Sequence, residues 1–116
     1  MSEFVVHQLP KWFPMAGITL GKHIFLKDRQ DKLTLEHELI HVKQQKEHGL
    51  WFWVTYLLFP LPFLWNPWRM RYEAEAYAVQ VKAGCKLDEI AKMLAGPMYG
   101  WCCRQKQAEA AIRRWL

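Results

Sequence analysis

Between Ala16 and Lys27, Ile18 and Leu20 flank Thr19, and His23-Ile24-Phe25-Leu26 adds a β-branched and aromatic run. A period of two sends successive side chains to opposite faces, so this stretch predicts one or two short strands. Gly17 and Gly21 punctuate it, and Pro10 and Pro14 keep the preceding residues irregular. The period then lengthens. Leu35, Leu39 and Val42 recur at helical spacing, with Lys43, Lys46 and Glu47 on the wetter side, and predict a helix from about Leu33 to His48. Asp31 or Thr34 can cap its start, and Gly49 suits the left-handed position after its end.

Residues 50–65, LWFWVTYLLFPLPFLW, are nearly continuous apolar sequence. With Pro60 and Pro62 near its end, the run is too short for a membrane-spanning helix. Two readings stay open. The first is a buried helix, Leu50 to Phe59, that stops before the prolines. The second is an aromatic surface over residues 50–68 that rests on a membrane interface or a partner protein. Asn66-Pro67 then opens another helix, Asn as cap and Pro in the first turn, running to Ala83 before Gly84. A shorter helix over 88–95 ends at Gly96-Pro97. A last one begins near Trp101, with Trp101, Gln105, Ala108, Ile112 and Trp115 along one side and Arg104, Lys106, Glu109 and Arg113 on the other. No repeat or low-complexity tract interrupts the series. The pattern predicts one α+β domain over residues 1–116, mainly helical, with a small N-terminal β-sheet or hairpin packed on the Leu33–His48 helix.

Composition narrows the function classes. Apolar residues at 52% and charged residues at 23% fit a globular chain. The net charge of +5 is spread thinly among Glu and Gln rather than gathered in a basic block, which argues against nucleic-acid binding. Met1-Ser2-Glu3-Phe4 shows no basic region leading into an apolar run and cleavage site, so a cytoplasmic chain without a signal peptide is expected. Cys85, Cys102 and Cys103 form an odd set without a CxxC, which reads as reduced thiols.

The chemistry sits in His37-Glu38-Leu39-Ile40-His41, an HExxH pattern on the first predicted helix. Histidines at i and i+4 share a face, so both imidazoles can reach one zinc ion, and Glu38 beside them can polarise a bound water. A catalytic zinc takes a third protein ligand, for which His7, His23, His48, Glu73, Glu75 and Asp88 are candidates. At 100° per residue Arg71, Glu75 and Lys82 share a stripe about 40° wide that reads as the solvated face. Glu73 points nearly opposite, on the side of Gln80, with Ala76 and Tyr77 between them. An inward carboxylate needs a partner, because burying it alone is unfavourable. A metal would be one, and Arg69 or a lysine would be another.

HELIHVKQQ followed by YEAEAYA resembles the gluzincin metallopeptidases, in which a Glu from a downstream helix completes the HExxH site. In many of them that Glu opens an ExEA run, and Glu73-Ala74-Glu75-Ala76 matches with Glu73 as the ligand. The GITLG–HIFL segment before the helix and Tyr99-Gly100-Trp101 near the C-terminus are similar to the small one-domain members, the minigluzincins. The resemblance implies a zincin-like fold, one zinc per chain held by His37, His41 and Glu73, Glu38 as general base, and a peptide or protein substrate. Gluzincins often carry an acidic residue four positions after the ligand Glu, where this chain has Tyr77. Larger relatives draw an oxyanion-stabilising His or Tyr from a C-terminal subdomain that these 116 residues do not hold. Tyr77 and Tyr99 are the candidates for that role, or for orienting the ligands. Two further expectations concern access. The strand around Ile24–Leu26 would be an edge that holds an extended peptide. The C-terminal helix would fold across the cleft and leave a latent enzyme or a zinc-binding protein without turnover.

Overall fold

The computed structural model describes residues 4–13 and 15–116. Among them the elements are β1 (Val5–Gln8), β2 (Gly17–Leu20), β3 (His23–Leu26), α1 (Lys32–His48), α2 (Leu50–Leu58), α3 (Pro67–Lys82), α4 (Leu87–Leu94), a 3-10 turn at Pro97–Tyr99 and α5 (Gln105–Arg113). The protein is α+β and mainly helical, as the pattern predicts.

The sheet has the order β1-β3-β2. β2 and β3 form an antiparallel hairpin through Gly21, whose φ of 62° suits a residue without a Cβ. β1 pairs in parallel with β3, Val6 opposite Ile24. This corrects the expected access edge: β3 with Ile24–Leu26 lies in the middle of the sheet, and the free edges belong to β1 and β2. The proline-flanked run before the hairpin holds a strand because Val5, Val6 and His7 find a partner across sequence that local composition does not reveal.

Ile24 and Leu26, both fully buried, pack with Val42 of α1, and Leu35, Leu39 and Val6 close over them. Asp31 supplies the α1 cap, its carboxylate accepting from the Thr34 N–H at 3.1 Å. The other core joins α3, α4 and α5 through Ala74, Tyr77, Ile90, Leu94, Ala108 and Ile112. α1 thus lies between the sheet and α3, which brings its HExxH face against the inward face of α3.

Two helices differ from expectation. α5 starts at Gln105, not Trp101, because Trp101 adopts φ 52° after the Gly100 turn and stands 53% exposed. Its buried stripe is Ala108, Ala111 and Ile112; Trp115 is exposed. α2 ends before Pro60 as predicted, but Phe52 is its only buried residue, whereas Leu50 is 82% and Trp51 67% exposed. The buried-helix reading therefore fails for most of the segment. Among the described residues no helix is long and apolar enough to cross a membrane.

Candidate metal centre

His37 and His41 face α3 from one side of α1, and Glu73 meets them from the N-terminal half of α3. All three are at least 94% buried, with relative exposures of 6%, 5% and 3%. Glu73 Oε1 lies 2.9 Å from His41 Nε2 and 3.2 Å from His37 Nε2, and the two Nε2 atoms are 3.2 Å apart. A tetrahedron with metal–ligand bonds of zinc length has edges of about 3.3 Å, so one ion at that distance from each atom fits the triangle. Glu73 pairs with the histidines and makes no ion pair with Arg69.

The outer nitrogens decide which atoms face inward. His41 Nδ1 lies 2.9 Å from Gln44 Oε1, and Gln44 Nε2 donates to the Tyr72 carbonyl and to Glu75 Oε1. Two acceptors on the Gln44 nitrogen fix that amide's orientation, so its oxygen accepts from Nδ1–H of His41. His37 Nδ1–H donates in the same way to Gln80 Oε1 at 2.9 Å. With both Nδ1–H groups engaged outward, Nε2 is the atom each ring turns toward Glu73; without a metal it donates to that carboxylate, and once it gives up its proton it is the nitrogen a metal ligand needs. Replacing Gln80 by Leu removes this hold on His37; a zinc ion offered to the triangle should bind about 10–100-fold more weakly than to the unaltered chain with secondary structure intact, as competition against a chelating dye would measure.

Charge is concentrated here. Burial opposes a charge on His41, but the Glu73 carboxylate beside it outweighs burial and lifts its pKa to about 9. Burial likewise acts to raise the Glu73 pKa, yet the His41 charge and the imidazole hydrogen bonds hold it far below the usual carboxylate range. Tyr56 adds a hydrogen bond to Glu73 Oε2 at 2.5 Å. Glu38 is 4% exposed and stands beside the triangle, its Oε2 3.8 Å from His37 Nε2. Thr19 donates to Glu38 Oε1 at 3.1 Å. Burial raises the Glu38 pKa, the histidines and Thr19 counter it, and the Glu73 charge reinforces it.

Tyr77 packs edge-on against His37, ring centroids 4.2 Å apart, and its hydroxyl hydrogen-bonds to that of Tyr99. Burial pushes both phenols up, so both stay protonated. The other candidate ligands lie elsewhere. His7 and His23 bond to each other in the sheet, His48 is exposed at the end of α1, Glu75 bonds to Gln44, and Asp88 is exposed on α4. Gln44, Tyr56 and Thr19 escaped the sequence reading. Gln44 was within reach, one turn beyond His41. Tyr56 and Thr19 reach the site only through the tertiary fold.

A cleft of about 550 Å³ opens over Glu38, His37, His41 and Glu73. β2 forms one wall; Trp53, Tyr56 and Leu57 of α2, Phe63 and the Pro97–Gly100 turn form the other. The C-terminal helix does not fold across this opening. α5 packs on α3 and α4 and contributes no lining residue, which removes the expected latching contact.

Compared with models of known protein families, with curated proteins and with solved structures, the chain matches none.

Proposed function

We propose that this protein is a zinc-dependent peptidase with its active site in the cleft. The observation that carries the reading is the His37–His41–Glu73 triangle, two imidazoles with Nε2 turned inward and a carboxylate, with a further carboxylate, Glu38, beside it in an open cleft. When bound there, zinc lowers the pKa of water and polarises the carbonyl under attack. Glu38 accepts the proton of the attacking water and returns it to the leaving amine. Burial helps by bringing its pKa nearer neutrality, where a general base is effective. Tyr99 lines the cleft and shares a hydrogen bond with Tyr77 in which either hydroxyl can donate; with Tyr77 donating, the Tyr99 O–H is free for a developing oxyanion. The outer edge of β2 has no strand partner among the described residues, and Ile18, Thr19 and Leu20 line the cleft. An extended peptide can add to that edge, which takes over the role expected of β3.

Metal analysis with a peptide-library digest tests the reading. About one zinc per chain is expected, with cleavage abolished by a chelator and restored by zinc. Failure to take up zinc on reconstitution would refute the site. One zinc without cleavage of any library member would leave a zinc-binding protein and end the catalytic claim.

A further inference from the structure

Twenty consecutive residues, Gly49 to Trp68, carry no charged side chain. Their exposed members include Leu50, Trp51, Leu58, Phe63, Leu64 and Trp65, from 53% to 82% exposed. The polar side chains of this stretch turn inward instead. Thr55 bonds to the Trp51 and Phe52 carbonyls and to Tyr72, Tyr56 to Glu73, and Asn66 to the Tyr56 carbonyl. What faces outward is apolar surface and indole.

The backbone is prepared in the same sense. A helix end leaves carbonyls without intrahelical partners, which water ordinarily satisfies. Here buried Arg69 does so. Its guanidinium donates to the carbonyls of Tyr56 at 2.8 Å, Leu57 at 3.2 Å and Pro62 at 3.0 Å. The Leu64 N–H donates to Gly100 O, and the Asn66 N–H to Cys102 O, each at 2.8 Å. Each backbone group held internally in this way is one that loses no hydrogen bond when the loop leaves water. Cations border the patch: exposed Lys22 and Lys46 share a hollow with Leu50 and Trp53, and the Arg71 guanidinium lies 5.2 Å from the Trp68 ring centroid. None of these three is in an ion pair among the described residues.

We propose that α2 and the loop to Trp68 dock on an anionic phospholipid bilayer surface, with their apolar residues at the acyl boundary and Lys22, Lys46 and Arg71 among the headgroups. Apolar residues, Trp and bordering cations are what an interfacial segment needs. A protein partner would be recognised in part by polar groups, and this stretch directs its own inward. Leu57, Leu58 and Phe63 also line the cleft, so docking would set its mouth at the bilayer surface. The proposal does not depend on zinc.

Co-sedimentation of the full chain with vesicles tests it, using equal parts phosphatidylcholine and phosphatidylglycerol against phosphatidylcholine alone. Binding to the anionic vesicles is expected, weakened by salt and on neutral vesicles. The exposed pair Trp51→Glu and Leu64→Glu, together, should lower it at least about tenfold, each charge resisting burial at the interface. Circular dichroism shows whether that variant is folded; if it is not, Lys22→Glu with Lys46→Glu gives the same comparison. No binding of the folded wild type to either vesicle would overturn the proposal. So would a dimer in sedimentation velocity that the Trp51→Glu, Leu64→Glu pair splits while vesicle binding is absent, which assigns the patch to a second copy.

Discussion

Glu38→Gln should hold about one zinc per chain and hydrolyse peptides at least about a hundredfold more slowly than the wild type. The expectation follows from what the substitution spares. Glutamine has the shape of glutamate and keeps an oxygen for the Thr19 hydroxyl, which now meets Glu38 Oε1 at 3.1 Å. The ligand triangle is untouched, because Glu73 and not Glu38 supplies the carboxylate within 3.2 Å of both Nε2 atoms. One buried negative charge disappears near Glu73, so stability should hold or rise. What is lost is a base: an amide cannot take a proton from water or return one to the amine. Zinc content and initial rates on one cleaved peptide are the measurements. Full activity in the zinc-loaded variant would remove Glu38 from the mechanism and leave the metal site standing.

The legible parts of this protein were those that local sequence determines. HExxH states its own geometry, because i and i+4 share a helix face wherever the helix lies. Glu73 was legible for the same reason: its position opposite Arg71, Glu75 and Lys82 is a property of one helix. Gln80 lies two turns beyond Glu73 on that face and was placed there, though its bond to His37 needed the α1–α3 approach. Strand order was hidden. β3 is central because both of its edges are paired, a fact its four residues cannot express. The fate of residues 50–65 was undecidable from pattern, since an apolar run looks the same buried or exposed. Arg69 settles it by fixing the last carbonyls of α2 and that of Pro62 beyond it, and that role depends on Tyr99 and Gly100 arriving from thirty residues downstream. A Cβ on Gly100 would stand 2.9 Å from Arg69 Nη1, so the turn must be glycine for the guanidinium to fit.

Zinc should raise the melting temperature by roughly 10–20 °C when supplied at about a thousandfold over its dissociation constant. That excess is worth about 4 kcal/mol to a folded state that alone binds the ion. In a chain of this size each kcal/mol moves the midpoint by roughly 3–5 °C. A chelator should lower the midpoint without unfolding the protein, because the metal-free site can satisfy itself. His41, lifted from 6.5 to about 9 by the neighbouring Glu73, carries a proton at neutral pH and pairs with that carboxylate. The sign of the pH dependence follows. A pKa raised on folding stabilises the protein fully below about 6.5, and the gain is lost as pH climbs through about 9. The zinc-loaded form has no such proton to lose, so the gap between zinc and chelator should widen across that interval. His41→Ala removes both a ligand and the titrating group. Its own midpoint will fall for reasons of packing, so the quantity to compare is its response to zinc, which should be near zero at every pH. Calorimetric scans of both proteins, with zinc and with chelator, read this directly. A wild type indifferent to zinc, or a variant that responds as the wild type does, would place any bound metal outside the His37–His41–Glu73 triangle.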